Sequence, residues 1–316
     1  MNVLLPHEAW FTEARPPYDW SFAYQPVSLA LIAAAIAVAA GVRLIASRLP
    51  RPEIGLLRPL GRLSPWIPRL LAIHAGVSLL AQAARGSYLA PSLGLPGDAF
   101  GTGLAILEGV VGIWLITGFR VRAAAVLLVV AGPVGMVGYG IVPVLERVDL
   151  LGIALFLAIL PPGDSTGGAV YPKPERLAGA LFALRILTGL SLVVLAFTEK
   201  LARPELAFAF LDRYPAFNVL RWLGLSDPAF VRMAGAVELL FGLLLISGAA
   251  PQVSVLLAGI PFNATLFFLG GSELIGHLPL YGAMLALLVY GSDPQFARFV
   301  SWLPHPRRLV PLPSHG

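Results

Sequence analysis

Two glutamates, Glu108 and Glu238, stand inside apolar runs long enough to cross a bilayer. A carboxyl group is costly at that depth, and intramembrane acids typically pass protons, contact a ligand or pair with a cation. The sequences around them also match. Residues 94–118 align with residues 224–248 without a gap, and nine of the 25 positions are identical, the glutamate included. We therefore predict an internal duplication in which each copy presents one acid to its helix bundle.

Glycines flank both acids at helical spacing: Gly109 and Gly112 in the first copy, Gly235 and Gly242 in the second. Small residues let neighbouring helices approach, which favours an inward orientation of each carboxyl group. A purely structural role is the alternative: each glutamate would form a hydrogen bond or salt bridge that stabilises the fold. This role stays open beside proton transfer and ligand contact. The candidate cationic partners on the same side are Arg85, Lys200, Arg203 and Arg232.

A second group of ionisable residues is predicted at the outer ends of the helices. Its members are Glu146, Arg147, Asp149, Glu199, Lys200, Glu273 and His277. Carboxylates and an imidazole gathered at one mouth can relay protons. With Glu108 and Glu238, the residues Glu199, Lys200, Glu273, His277 and Asp149 form our predicted pocket or proton relay; no catalytic residue is assigned.

Metal and haem chemistry are disfavoured by residue type and spacing. The chain has no cysteine, which excludes thiolate catalysis and cysteine-ligated metals on this chain. No paired-histidine motif occurs, so no metal site is predicted. His74 and His277 are predicted at different depths, which argues against axial haem ligation. No phosphate loop or dinucleotide motif is present.

Composition places the chain in the membrane. Hydrophobic residues make up 57% and charged residues 12%, and mean hydropathy is +0.81. We predict an all-α polytopic membrane protein of about nine transmembrane helices, with one N-terminal anchor followed by two parallel four-helix repeats. The predicted spans are 27–46, 67–84, 103–119, 121–142, 149–160, 179–198, 229–248, 251–269 and 277–291. The corresponding units are residues 1–65, 66–163, 178–292 and a tail of 293–316.

Arginine distribution predicts the orientation. The loop after the first span carries six arginines against one acid, Glu53. Basic loops stay in the cytoplasm, so the N-terminus is predicted outside and the C-terminus inside the plasma (inner) membrane. Loop arginines also account for the net charge of +5, so no nucleic-acid partner is expected. The first span is interpreted as a retained anchor, with cleavage in its alanine-rich run as the alternative.

A family resemblance rests on Leu184-Arg185-Ile186, Gly189 and Glu199-Lys200-Leu201, together with residues 273–279 and the glutamate-bearing span. These residues resemble the DoxX family of small four-helix membrane proteins. The resemblance covers 180–291, and 68–161 through the repeat. Phe197-Thr198-Glu199 departs from the usual approach to the Lys-Leu pair, and the first repeat lacks the lysine. Some members are subunits of a quinone-reducing thiosulfate oxidase, and others accompany redox-stress enzymes.

The resemblance implies a membrane subunit or accessory factor of quinone-linked redox chemistry. Such a subunit would bind a lipophilic substrate or relay protons through an outer-facing polar pocket, with a redox partner subunit and the bilayer as its partners. The resemblance favours a quinone as the cofactor. The competing hypothesis is a non-enzymatic carrier or receptor for a small solute or lipid, for which a duplicated bundle is equally suited.

Overall fold

The computed structural model describes residues 16–163, 167–269 and 271–304, without the side chains of 267–269 and 271–273. Helices dominate the described chain. The α-helices are α1 (Trp20–Tyr24), α2 (Pro26–Ala46), α3 (Ile67–Ala84), α4 (Ala99–Thr117), α5 (Val121–Tyr139), α6 (Ile141–Leu145), α7 (Val148–Ile159), α8 (Pro174–Leu195), α9 (Pro204–Arg213), α10 (Asp227–Ser247), α11 (Pro251–Leu269), α12 (Gly271–Ser292) and α13 (Ala297–Val300).

Short irregular segments join these helices. A 3-10 segment, Gly55–Trp66, leads into α3, and a π-helical segment, Ala196–Leu201, extends α8. A small antiparallel hairpin of β1 (Ser87–Tyr88) and β2 (Ala90–Gly94) follows α3, where the sequence predicted only a loop. Within these described ranges the protein is therefore helical, with one hairpin in a connecting loop.

Seven helical segments of the described residues are long and apolar enough to cross a membrane. They coincide with seven of the predicted spans: those formed by α2, α3, α4, α5, α8, α10 and α12. The other two predicted spans coincide with α7, an apolar helix of only 12 residues, and with α11. The prediction of an integral membrane protein is confirmed at this level.

The helices pack both on their neighbours in sequence and on helices from the other part of the chain. Helix α3 lies against α4, and α8 lies against α10 in the same way. Helix α7 follows α5 but packs most extensively on α8, while α12 follows α11 and packs on α3. The N-terminal α2 lies against α10 through Ala35, Ala39, Leu239 and Leu244. We call α3–α7 the first half and α8–α12 the second half, with α3 and α8 as the opening helices and α7 and α12 as the closing helices. Each closing helix thus packs on the opening helix of the other half.

Two glycine crossings bring α3 onto α4 and α8 onto α10. A Cβ added to Gly76 would lie 2.7 Å from the carbonyl oxygen of Gly112, and one added to Gly189 would lie 2.6 Å from that of Gly242. Neither backbone can accept a larger residue without moving. These contacts explain why glycine stands at these positions and confirm the predicted close approach at Gly112 and Gly242.

An arginine binds the end of each glutamate helix. Arg69 donates to the carbonyls of Leu115 and Ile116 at the end of α4. Arg185, which is fully buried, donates to those of Leu245 and Ile246 at the end of α10. The last carbonyls of a helix lack intrahelical partners and carry partial negative charge. A guanidinium group there donates the missing hydrogen bonds and compensates that charge. Both arginines therefore position the helices that carry Glu108 and Glu238.

Candidate functional site

The π-helical turn at the end of α8 positions Glu199 and Lys200. Across this turn the amide of Ala202 donates to the carbonyl of Phe197 at 2.7 Å, five residues back. A π-turn inserts one extra residue per turn and is frequent at functional sites. Here it directs the Lys200 side chain towards α10. The sequence analysis placed Glu199 and Lys200 at the end of the span 179–198 and did not predict this turn.

Lys200 joins two carboxylates into one ionic cluster. Its ammonium nitrogen lies 2.8 Å from Glu238 Oε2 and 3.1 Å from Glu199 Oε2. All three side chains are largely buried, with exposed fractions of 12% for Lys200, 13% for Glu238 and 14% for Glu199. Two carboxylates around one ammonium leave a formal charge of minus one in a low-dielectric setting, where such a charge is costly. We call Glu199, Lys200 and Glu238 the ionic cluster.

His277 on α12 lies beside the ionic cluster. Its imidazole is within electrostatic range of the Glu238 carboxylate. The ring packs edge-on against Phe262, with centroids 5.4 Å apart, and against Tyr281 one turn along, at 6.3 Å. His277 therefore connects the ionic cluster with the face of α12 that carries Tyr281.

A groove of 490 Å³ runs between α11 and α12 at Tyr281. Its walls are apolar, with Ile260, Met284 and Leu288 among them, and its polar groups are Asn263 and Tyr281. The amide of Asn263 donates to its own helix at Gly259. The Tyr281 hydroxyl is buried and makes no hydrogen bond to any described protein atom. An apolar groove with one unsatisfied buried donor fits a ligand that carries a hydrogen-bond acceptor on a lipophilic body.

Glu108 has a different environment in the first half. Only 2% of it is exposed, which confirms that it faces the interior. Its Oε1 accepts a hydrogen bond of 2.8 Å from the backbone amide of Leu89, in the hairpin. Arg147 is within electrostatic range of the carboxylate. Glu108 thus accepts a hydrogen bond from a backbone N–H, whereas Glu238 forms an ion pair with Lys200.

Arg147 and His277 stand at the same sequence spacing from a glycine that packs on another helix. Each stands five residues before a glycine, Gly152 or Gly282, that contacts the opposite opening helix. Arg147 donates to the carbonyls of Leu89 and Gly276, so it ties the hairpin to α12. Each glutamate therefore has a basic side chain from a closing helix nearby.

The Tyr88 side chain is buried in the first half, where it packs against α5. Its ring lies against Gly135, where an added Cβ would come within 2.6 Å of it, and stacks on Tyr139 at 6.0 Å. Its hydroxyl donates to the carbonyl of Ala131 at 2.7 Å. Burial, followed by the nearby Glu108 carboxylate, raises the pKa of Tyr88. Gly135 stands two residues after Pro133 in α5, as Asn263 stands two residues after Pro261 in α11. Tyr88 therefore packs beside Gly135 in α5, whereas Asn263 in α11 lines a groove.

Asp149 and Glu273 are the remaining predicted site residues. Asp149 is buried between α7 and α8, where the Ser191 hydroxyl lies 3.4 Å from its Oδ1 and donates to the carbonyl of Glu146. The side chain of Glu273 lies outside the described residues. Among the described side chains, no group of three or more His, Asp or Glu residues is placed to hold a metal ion.

Of the predicted cationic partners, Lys200 is the one that pairs with a repeat glutamate. The Arg203 guanidinium lies 3.7 Å above the Tyr18 ring, and that of Arg232 lies 4.3 Å above the Phe22 ring. Arg85 is exposed at the end of α3. Tyr88 and Tyr281 were missed by sequence reasoning, because a lone tyrosine in a loop or an apolar helix carries no distinguishing signal.

Comparisons with protein-family models, curated proteins and solved structures find no match to this chain. The resemblance to the DoxX family therefore stays a prediction.

Proposed function

We propose that this chain is an internally duplicated, DoxX-like protein of the plasma (inner) membrane with nine spans. One N-terminal anchor would precede two parallel four-helix repeats, with the N-terminus outside. Matching contacts support the duplication: the crossings Gly76–Gly112 and Gly189–Gly242, and the carbonyl-binding arginines Arg69 and Arg185. Four helices per repeat give both halves the same orientation.

The second half binds a lipophilic substrate with an acceptor carbonyl, of which a quinone is the leading candidate. The observation that carries this proposal is the ionic cluster beside His277, one turn from the groove at Tyr281. A membrane protein gains little stability from three buried charges compared with an apolar packing of similar shape. Their retention beside a groove with an unsatisfied hydroxyl favours a functional site.

The chemistry follows from the order of the groups. On ligand binding the buried Tyr281 hydroxyl turns towards the groove that this residue lines and donates to a carbonyl of the ligand head group. Reduction of a quinone consumes protons as well as electrons, and His277 with the ionic cluster supplies a path for protons between the groove and the outer mouth. A redox partner subunit supplies the electrons. The chain itself acts as the ligand-binding and proton-relaying subunit.

Quinone binding to the purified full chain tests this proposal. We expect quinone to co-purify and to bind the quinone-stripped protein, and Tyr281→Phe to weaken binding roughly threefold to tenfold, the effect of one hydrogen bond. Tyr290→Phe is the matched control, because Tyr290 lies on the same helix with a buried hydroxyl and packs against Phe156 away from the groove. Absence of quinone binding, or an equal loss in the control, would refute it.

Glu238→Gln addresses the relay separately from binding. The substitution keeps the shape and removes one negative charge next to His277. We expect quinone affinity to stay close to wild type and the pH dependence of quinone-linked proton uptake to change. If the pH profile of the variant matches that of wild type, the ionic cluster has only a structural role.

The alternative is a non-enzymatic carrier or receptor for a small solute or lipid. The residual exposure of the ionic cluster, 12–14% for its three side chains, gives a small polar solute access to charged groups and supports this alternative. Solute flux in proteoliposomes that depends on Lys200, without any quinone binding, would support the carrier over the redox subunit.

A further inference from the structure

A second groove, of 720 Å³, opens at the opposite end of the first half from the hairpin. It lies where α4 ends, α5 begins and the chain leaves α7. Trp114, Arg120, Arg122 and Pro162 are among its lining residues. It shares no lining residue with the groove at Tyr281.

The rim of this groove is basic. Arg120 and Arg122 are both exposed, and none of the described lining residues is acidic. Arg122 is held at the rim by a hydrogen bond of 2.9 Å from its Nε to the carbonyl of Ala158. Arg120 lies over the Phe119 ring, with 5.2 Å from the guanidinium carbon to the ring centroid. Two guanidinium groups at a helix boundary attract an anion.

The floor of the groove is apolar and continues onto an exposed apolar surface of α5. Val121, Val126, Leu127 and Pro161 supply apolar surface below the arginines. Val126 and, one turn along, Val130 are about half exposed on the outside of α5. A ligand that fits both parts has an anionic head and a hydrocarbon body.

In the second half, the surface at the equivalent spacing from a left-handed glycine is buried by another helix. Arg120 and Ala250 each follow a left-handed glycine, Gly118 or Gly248, by two residues, and both have positive φ. At Ala250 the surface is buried by α2. The first half has no such helix packed on it among the described residues.

We propose that the groove binds an anionic phospholipid, whose phosphate lies between Arg120 and Arg122 and whose acyl chain runs along Val126. The lipid covers in the first half what α2 covers in the second. Basic pockets beside transmembrane helices are suited to anionic head groups. The site is independent of the proposed quinone groove.

Tryptophan quenching by brominated lipids tests the site, because Trp114 lines it. The full chain is reconstituted into bilayers with brominated phosphatidylglycerol or brominated phosphatidylcholine, and the Trp114 signal is the difference between wild type and Trp114→Phe. We expect stronger quenching by the anionic lipid. In Arg120→Gln/Arg122→Gln the preference should fall roughly fivefold per arginine. Arg120→Gln alone keeps the bond from Arg122 to Ala158 and should lose about half of the effect on a logarithmic scale.

Arg58→Gln/Arg62→Gln is the matched control, since both arginines are exposed in the segment before α3. It should retain the preference. Equal quenching by the two lipids in wild type, or an equal loss in the control, would overturn the proposal. So would displacement by inorganic phosphate alone, which would make the site one for soluble phosphate.

Discussion

Lys200 pairs with Glu238 across the junction of α8 and α10, at 2.8 Å, and holds Glu199 at 3.1 Å with the same ammonium group. Lys200→Met would leave two buried carboxylates without a cation. Removing one partner of a buried pair typically costs about 3–5 kcal/mol. We expect a correspondingly lower thermal unfolding midpoint in detergent, measured by circular dichroism.

Two variants separate charge from packing in that experiment. The triple variant Glu199→Gln/Lys200→Met/Glu238→Gln removes every charge of the ionic cluster and should recover most of the lost stability. Arg221→Met breaks the exposed pair of Arg221 and Asp227, whose side chains are 50% and 29% exposed respectively, and should leave the unfolding midpoint close to that of wild type. A triple variant as unstable as Lys200→Met would show that the charges are not the cause.

The crossing of Gly189 with Gly242 should tolerate no added methyl group. A Cβ at Gly189 would lie 2.6 Å from a backbone oxygen, which cannot rotate away. We expect Gly189→Ala to destabilise the protein by about 1–3 kcal/mol. Gly179→Ala lies on the same helix with nothing within 4 Å and should be neutral or slightly stabilising. Equal unfolding midpoints for the two variants would contradict the crossing.

Tyr88 should make stability fall at high pH. Its pKa is raised in the folded protein by burial and by Glu108, so the folded state holds the phenolic proton more tightly than the unfolded state. The stabilisation is complete below the unfolded pKa of about 10 and is lost as pH rises from there towards the folded value, by about 1.4 kcal/mol per pH unit. Tyr88→Phe should lack this part of the pH dependence. Parallel pH profiles for the two proteins would rule out the effect.

The orientation can be tested with single cysteines, because the chain has none of its own. Arg62 and Trp222 are exposed, and the predicted topology puts them on opposite sides of the membrane. In intact cells a membrane-impermeant maleimide should label Trp222→Cys, and Arg62→Cys only after permeabilisation. The reverse pattern would invert the topology, and equal labelling would change the parity of the spans between them.

Sequence alone predicted the positions of the helices, because an apolar run of given length has few other structures in a membrane. It also predicted that Glu108 is interior and that Lys200 is a candidate partner for a repeat glutamate. These inferences rest on residue type and spacing, which the sequence states directly.

Tertiary contacts decide the remainder. The turn at Ala196–Leu201 depends on which carbonyl accepts a single amide, and apolar periodicity does not encode that choice. The insertion of Tyr88 depends on space left by Gly135, which lies 47 residues further along the chain. The packing of α2 on α10 depends on which surface remains uncovered after the other helices assemble. These three contacts create the difference between the halves.

The exchange of closing helices has a consequence for the integrity of the molecule. Helix α7 packs on α8, and α12 packs on α3. Cleavage of the chain between α7 and α8 would therefore give two fragments, each of which carries a helix that packs on the other fragment. Neither fragment should survive extraction when expressed by itself. Expressed together, they should reassemble as a complementing pair and co-purify through a tag on either one.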